Sequence, residues 1–193
     1  MTYSDYISSL REKRINRMFL NSDSEKRKSV YRELLQCADK KLRFFAGNLC
    51  DDITNSDDFV EGISDFIEKN GSLEILLNKY DASLIKESNL YKRLAFYAAR
   101  NYNVTVKSTP VTVTIHLNGK DTPAHFAVAD YYAFRLEVDI EKRIAICNMN
   151  DEKFSQILIQ TFDKISSDSQ TVEIDLVKLF SLKPKEEKHV ENS

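Results

Sequence analysis

The sequence is poor in the residues that build disulfide-rich, repetitive or loosely linked proteins. Its 193 residues include four glycines, three prolines, three cysteines and no tryptophan. The cysteines, at positions 37, 50 and 147, are odd in number and widely spaced, and they form neither a CxxC pair nor a zinc-binding pattern. We therefore expect buried thiols in a reducing compartment, and the scarcity of glycine and proline argues against an internal flexible linker.

Long apolar runs are also missing. The longest apolar runs contain only a few residues, whereas a membrane-spanning helix needs roughly 20. The N-terminus shows no basic segment followed by an apolar one, so a signal peptide is not expected. The composition, 42% hydrophobic and 30% charged, is typical of a globular domain with a sizeable core. A cytoplasmic protein without membrane attachment is the expectation.

The net charge of -2 gives no overall signature of nucleic-acid binding. The charge is uneven, however, because residues 11–32 contain eight basic and three acidic side chains. Such an arm could contact phosphates, and it could equally be the solvated face of amphipathic helices. The candidate nucleic-acid contacts are Arg11, Lys13, Arg14, Arg17, Lys26, Arg27 and Lys28.

Helical periodicity over residues 4–19 and 25–39 predicts an N-terminal helical extension that occupies residues 1–40. The main domain is predicted to span residues 41–181. A charged tail follows over residues 182–193 and is expected to be mobile.

Alternating strand and helix patterns open the main domain. The predicted elements are strand 42–47, helix 57–69, strand 73–77, helix 88–100 and strand 104–106. This order is that of a βαβαβ unit with parallel strands. Short polar turns then separate strands 111–117, 125–129, 133–138 and 143–147, and helix 151–165 follows, with 171–180 left open between strand and helix. The sequence therefore predicts an α/β fold, a three-layer sandwich with a mixed sheet.

One stretch resembles a known family. His125 lies in a predicted strand, and Asp130 follows five residues later at the turn to the next strand. This layout resembles the core of the phospholipase D superfamily, whose active members carry His-x-Lys-x4-Asp at this place. The resemblance covers roughly residues 41–165 and implies a phospholipase D-like half-domain.

This stretch can be aligned with the motif in two ways. Neither alignment contains both the catalytic histidine and the catalytic lysine. If Asp130 matches the motif aspartate, Pro123 falls on the histidine and His125 on the lysine. If His125 matches the histidine, Ala127 falls on the lysine. In active members the histidine attacks phosphorus and the lysine stabilises the transferring phosphoryl group. The resemblance therefore implies a catalytically degenerate member.

The resemblance implies only four candidate site residues, none of them a secure catalytic assignment: His125, Asp130, Asn148 and Asn150. Asn148 is the better placed of the two asparagines that resemble the asparagine following the motif. Arg135 and Glu137, two apart on one strand, are expected to form a surface or semi-buried ion pair near Asp130.

Three functions remain open at this point. The preferred one is a non-catalytic binding or regulatory subunit with a protein partner or as a homodimer, in a bacterial defence or nucleic-acid-processing complex. The second is a nucleic-acid-binding module that uses the basic arm. The third is a dimeric phosphodiesterase or nuclease in which two copies of His125 meet. No cofactor and no metal is expected, because the three histidines are scattered without ligand spacing.

Overall fold

A computed structural model describes residues 1–117 and 119–184; the predicted mobile tail lies outside the described residues from position 185 onward. The elements are α1 (Tyr3–Glu12), β1 (Phe19–Asn21), α2 (Ser24–Cys37), β2 (Lys41–Ala46), α3 (Asp57–Glu68), β3 (Ser72–Leu77), α4 (Ala82–Glu87), α5 (Asn89–Ala98), β4 (Val104–Ser108), β5 (Thr114–Leu117), β6 (Lys120–Pro123), β7 (His125–Ala129), β8 (Ala133–Asp139), β9 (Ile144–Asn148), α6 (Glu152–Ser166), β10 (Val172–Glu173) and α7 (Leu176–Leu179).

Within the described residues, eight strands form one mixed sheet in the order β1-β9-β8-β7-β2-β3-β4-β10, and β5 and β6 form a separate hairpin. Strands β2, β3 and β4 are parallel, as the βαβαβ pattern predicts, and β7 joins β2 in antiparallel orientation. One apolar cluster packs α1, α2, α3, α5 and α7 on one face of the sheet, and a second packs α6 on the other. The predicted three-layer α/β architecture is confirmed.

The central strand β2 shows how the sequence divides its apolar residues between the two layers. Successive side chains of a strand point to opposite faces, so Phe44 and Phe45 enter different clusters. Phe44 lies 6.3 Å from Tyr31 of α2 and 6.2 Å from Phe59 of α3, measured between ring centroids. Phe45 stacks on Phe126 of β7 at 5.4 Å. Strand β2 is therefore a central strand that is buried on both faces.

The predicted helix over residues 4–19 is wrong beyond Glu12, where α1 ends. The chain turns through Arg14, which has a φ of 49°, and then forms the short strand β1 at the edge of the main sheet. Phe19 pairs with Cys147 of β9 and is 8% exposed, so burial of this ring in the sheet outweighs the local helical pattern. Residues 1–40 therefore contribute a strand as well as helices, and the proposed domain division at residue 40 stays a prediction.

Four smaller elements lie where the sequence gives no definite prediction. Helix α4 and strand β6 carry no clear periodicity because each is short, and residues 171–180 contain both a strand, β10, and a helix, α7. None of the described helices is long and apolar enough to cross a membrane.

The cysteines behave as packing residues. Cys37 and Cys147 are buried, Cys50 is half-buried, and all three are free thiols. Burial raises the pKa of Cys37 and of Cys147 to about 12 and that of Cys50 to about 11, so the thiols stay protonated near neutral pH. The expectation of buried thiols holds for two of the three.

Asp130, in the turn between β7 and β8, stabilises the fold through hydrogen bonds to the backbone. Its carboxylate accepts the backbone N–H groups of Asp39 at 2.9 Å, Lys40 at 2.9 Å and Lys41 at 2.8 Å. Its own N–H donates to the carbonyl of Lys41 at 2.7 Å. These bonds hold the start of β2 against the turn, and the φ of 50° at Asp130 is tolerated best by aspartate, asparagine or glycine.

We expect Asp130→Ala to lower the free energy of unfolding by about 3 kcal/mol, because three backbone donors lose a charged acceptor and alanine is strained at positive φ. Asp130→Asn is the matched control, since it keeps one acceptor oxygen and tolerates the same φ, and it should lose clearly less. Urea denaturation of the three proteins measures both values. A loss below about 1 kcal/mol for Asp130→Ala would contradict this role.

Candidate functional site

A cavity of about 200 Å³ opens at the carboxyl ends of β2 and β3. Gly47 and Asn48 follow β2 there, and Lys79 follows β3. Because β7 runs antiparallel to β2, its first residue, His125, lies at the same end of the sheet. The carboxyl ends of parallel strands are the usual position of ligand sites in α/β folds.

Gly47 lies beside two of the side chains in this cavity. A Cβ atom at this position would lie 3.5 Å from the imidazole carbon Cε1 of His125 and 3.9 Å from Cδ of Lys79. Both side chains therefore lie within contact distance of the loop after β2, and the fold places Lys79, which follows β3, in the same cavity as His125.

Glu137 lies at the centre of a group of buried charges. It is the cross-strand partner of His125, and its neighbour on the same face of β8 is Arg135. Its carboxylate lies 3.5 Å from Nδ1 of His125, 3.2 Å from Nη2 of Arg135 and 3.6 Å from Nη1 of Arg143. Arg135 and Glu137 are each 3% exposed, so the predicted ion pair exists but is fully buried.

Arg135 is held by elements from both ends of the chain. Its Nε donates to Oδ1 of Asn21 in β1 at 3.0 Å, and its Nη2 also donates to the backbone carbonyl of Arg143 at 3.4 Å. Its guanidinium lies 5.2 Å from the ring centroid of Tyr31 in α2. A buried guanidinium needs such partners, since each unsatisfied N–H would cost free energy.

The pKa of Glu137 lies below its usual value. Burial alone would raise it, but the hydrogen bond from His125 and the charges of Arg135 and Arg143 outweigh that effect. Glu137 is therefore ionised at neutral pH, and it holds the His125 imidazole by its Nδ1 side.

Positive charge exceeds negative charge around the cavity. Asp51, which lines it, is paired with Nη2 of Arg27 at 2.9 Å and lies 3.9 Å from Nη2 of Arg143. The charged groups in and next to the cavity are four cations and two anions: Arg27, Lys79, Arg135, Arg143, Asp51 and Glu137. The side chain of Arg143 is 45% exposed and Lys79 is exposed, so the excess cations lie toward solvent. This arrangement suits a small anion.

The four predicted site residues do not come together. His125 lines the cavity, whereas Asp130 lies past the other end of β7, about 17 Å away along the strand. Ala145 of β9 pairs with Glu137, which in turn pairs with His125. Asn148 lies three residues beyond Ala145 and is therefore about 10 Å from His125 along the strand direction. Arg135 and Glu137 lie at the His125 end of the sheet, and the expectation that they neighbour Asp130 is wrong.

Asn148 and Asn150 hold the N-terminal segment instead. The amide of Asn148 donates to Oδ1 of Asn16 at 2.8 Å, and its Oδ1 accepts the backbone N–H of Asn150 at 3.0 Å. The Asn150 amide donates to the carbonyl of Arg14 at 2.7 Å. Both asparagines therefore fix the turn that leads from α1 into β1.

The basic residues of the N-terminal arm divide into two groups. Five are in ion pairs within the chain: Arg11 with Glu33, Lys26 with Asp23, Arg27 with Asp51, Lys28 with Glu25 and Arg32 with Asp58. Lys13, Arg14 and Arg17 are exposed in the segment between α1 and β1. Only the second group keeps its charges free of a carboxylate partner among the described residues.

Lys79, Arg143 and Asp51 were not assigned to this site from the sequence. Each follows or precedes a strand without a recognisable motif, so only the three-dimensional fold brings them to His125. Within the described part of the chain, no group of three or more His, Cys, Asp or Glu side chains is arranged to hold a metal ion.

No protein-family model matches the chain, and no curated protein sequence matches it. Solved structures do match. Nuc, a phospholipase D family member from Salmonella typhimurium, is 8% identical with a TM-score of 0.54, over 82% of this chain and 98% of Nuc. Phosphatidylserine synthase from Haemophilus influenzae is 11% identical with a TM-score of 0.55, over 85% of this chain and 40% of the synthase.

A third match is TrmBL2, an archaeal chromatin protein described as having a novel mode of DNA binding. It is 11% identical with a TM-score of 0.60, over 88% of this chain and 60% of TrmBL2. The chain thus spans about two fifths of the synthase and three fifths of TrmBL2. At these identities the likeness establishes the fold, which is phospholipase D-like, as the sequence resemblance implies.

We expect Glu137→Gln to lower the free energy of unfolding at pH 7 by about 3 kcal/mol, because buried Arg135 loses its charged partner. The folded pKa of Glu137 is depressed, so its stabilisation is fully present above the unfolded pKa of about 4.3 and is lost as pH falls through the folded pKa. The difference between wild type and variant should therefore shrink below about pH 4.

Urea denaturation between pH 7 and pH 3 measures this difference. Glu141→Gln, a change of the same type at an exposed position in the β8–β9 turn, is the control and should leave stability nearly unaltered at every pH. A Glu137→Gln effect that stays constant down to pH 3 would show that the carboxylate charge is not what stabilises the site.

Proposed function

We propose that this chain, which has the phospholipase D-like fold, is a non-catalytic ligand-binding module that holds a small anion in the cavity beside His125. The observation that carries the proposal is the composition of this cavity. Lys79, Arg135 and Arg143 line this cavity together with His125, while the two carboxylates present are already engaged by arginines. A volume of about 200 Å³ suits a phosphate group or a carboxylate better than a drug-sized molecule.

Two features favour binding over catalysis. When Asp130 is matched to the motif aspartate, Pro123 takes the place of the nucleophile, and a proline side chain cannot attack phosphorus. Asp130 itself is fully used by backbone donors, and Asn148 lies at the other end of the sheet. In that alignment the scaffold keeps its shape while the nucleophile of the motif is replaced, which supports a binding function.

The rival interpretation is a phosphodiesterase with His125 as nucleophile. It has support in one contact, since Glu137 faces Nδ1 and leaves Nε2 as the reactive nitrogen. The superfamily mechanism also needs a second histidine to protonate the leaving oxygen. Among the described residues that line the cavity, His125 is the single histidine, so the second would have to come from another copy of the chain. In the alignment that makes His125 the nucleophile, Ala127 also takes the place of the motif lysine. We therefore favour the binding function.

The partner and the biological context that we propose are those expected from the sequence. We propose that the module works as a regulatory subunit that reports the bound anion to a protein partner in the cytoplasm. A bacterial defence or nucleic-acid-processing complex is the proposed context.

We expect inorganic phosphate to bind the wild-type protein, and Arg143→Gln or Lys79→Gln to weaken this binding at least tenfold, because each removes a charge-assisted hydrogen bond. Isothermal titration calorimetry with phosphate measures the affinity. Lys142→Gln is the matched control, because Lys142 is the neighbour of Arg143 in the same turn and does not line the cavity.

The same samples test the absence of catalysis. We expect bis(p-nitrophenyl) phosphate to be hydrolysed no faster by wild type than by His125→Ala. If wild type turns this substrate over and His125→Ala does not, the non-catalytic assignment is overturned. If phosphate affinity is equal in wild type and Arg143→Gln, the cavity is not the binding site.

Nucleic-acid binding is a second candidate, favoured by the exposed cations Lys13, Arg14 and Arg17. The DNA binding stated for TrmBL2 supports testing it here. Duplex DNA affinity should fall steeply with salt, and changing all three residues to glutamine should lower the slope of log affinity against log salt by about 3.

Fluorescence anisotropy with a labelled duplex over a salt series provides that slope. The control changes Lys26 and Lys28 to glutamine, because these two cations are paired with Asp23 and Glu25. Undetectable duplex binding at low salt, or an equal loss in the control, would remove this candidate.

A further inference from the structure

The charged groups in and next to the His125 cavity are unequally neutralised. Four cations stand against two carboxylates there, which leaves a net charge of +2 when the imidazole is neutral. Two of the cations have close carboxylate partners: Arg135 with Glu137 at 3.2 Å, and Arg27 with Asp51 at 2.9 Å. The net charge of the cavity therefore resides on the other two cations, Lys79 and Arg143.

Lys79 and Arg143 also keep hydrogen-bonding capacity for a ligand. Nη1 of Arg143 lies 3.6 Å from the Glu137 carboxylate and Nη2 lies 3.9 Å from that of Asp51, and both separations are too long for a hydrogen bond. Lys79 is exposed, and its ammonium has no carboxylate partner in the part of the chain that the structure describes. Both side chains can therefore donate to an anion without breaking a bond inside the protein.

The imidazole of His125 supplies a third polar group. Glu137 is ionised at neutral pH and faces Nδ1, so the neutral ring carries its proton on that nitrogen. Nε2 is then a hydrogen-bond acceptor beside two cations. A phosphate monoester exchanges a proton near neutral pH, since its second pKa is about 6, and this proton can be shared with Nε2. A phosphate diester has no such proton.

We propose that the His125 cavity selects the dianion of a small phosphate monoester over phosphate diesters and over other singly charged anions. This inference rests on the anion-binding function proposed above and specifies its ligand. A monoester carries a charge of about -1.5 to -2 at neutral pH, which matches the two unpaired cations. It also has three terminal oxygens, one each for Lys79, Arg143 and the imidazole, whereas a diester has two.

The walls of the cavity favour a ligand with one ester group. The inner side is formed by buried residues, among them Phe45, Phe126 and Glu137, whereas Lys79 at the rim is exposed and Ile140 is half-buried. A phosphate group that contacts the imidazole therefore has protein on its inner side. A single substituent on the ester oxygen can extend past the rim into solvent, and a second substituent would displace an oxygen from the cations.

Four small probes separate charge from shape. Methyl phosphate is the monoester, dimethyl phosphate is the diester, and methyl sulfate has the shape of methyl phosphate with one negative charge. Inorganic phosphate reports the anion site itself. In isothermal titration calorimetry at pH 7 and low salt, methyl phosphate should bind about as tightly as inorganic phosphate. It should bind about tenfold or more tightly than dimethyl phosphate and than methyl sulfate, because each of these carries a single charge.

The ratio of the affinities for methyl phosphate and methyl sulfate is a readout that a merely structural role would not change. Arg143→Gln and Lys79→Gln each remove one unpaired cation, so each should lower this ratio by about threefold or more. Lys142→Gln is the matched control, since Lys142 does not line the cavity, and it should keep the wild-type ratio. Circular dichroism establishes that the variants fold.

Three results would overturn the selectivity while leaving anion binding in place. They are equal affinities for methyl phosphate and methyl sulfate, equal affinities for methyl phosphate and dimethyl phosphate, and a ratio that Arg143→Gln and Lys79→Gln leave unchanged. Methyl phosphate that binds far more weakly than inorganic phosphate would also overturn it, because the cavity would then exclude an ester group. Failure of inorganic phosphate itself to bind would instead remove the anion-binding function, so the two failures are distinct.

Discussion

The buried ion pair between Arg135 and Glu137 is the constraint on which much of this structure depends. Removing two charges from water costs several kcal/mol for each ion, and the pair is tolerated only if its other hydrogen-bonding groups are satisfied. Asn21 supplies one partner from β1, and Arg143 supplies another from the turn before β9. This one pair therefore links strand β1 and the turn before β9 to the buried wall of the cavity.

The same pair determines what the cavity can do. Glu137 holds the Nδ1 side of His125 and is itself held ionised by the arginines around it, so the imidazole is positioned without a lysine on its own strand. The remaining positive charge lies at the mouth, on Lys79 and Arg143. Charges placed in this way can attract and orient an anion, which supports the proposed binding function. Phosphoryl transfer with His125 as nucleophile would also require a proton donor for the leaving oxygen.

The sequence predicts the layers better than it predicts the site. The βαβαβ order and the strand His125–Ala129 are recoverable because apolar runs of these lengths between polar turns have few alternatives. Strand β1 is not recoverable, since three residues carry no periodicity and its partner β9 lies near the other end of the chain. Asn148 is a candidate through its resemblance to the asparagine that follows the family motif, and that resemblance does not reveal the end of the sheet at which the residue lies. Lys79 and Arg143 carry no motif, and only tertiary packing brings them to His125.

The central claim is that an anion binds beside His125 without forming a bond to it. The most direct measurement is a crystal structure of the protein grown with inorganic phosphate. We expect phosphate density in the His125 cavity, within hydrogen-bonding distance of Arg143 or Lys79 and of the imidazole. Density continuous with His125, as in a phospho-histidine, would contradict the claim, and so would an empty cavity with phosphate bound elsewhere.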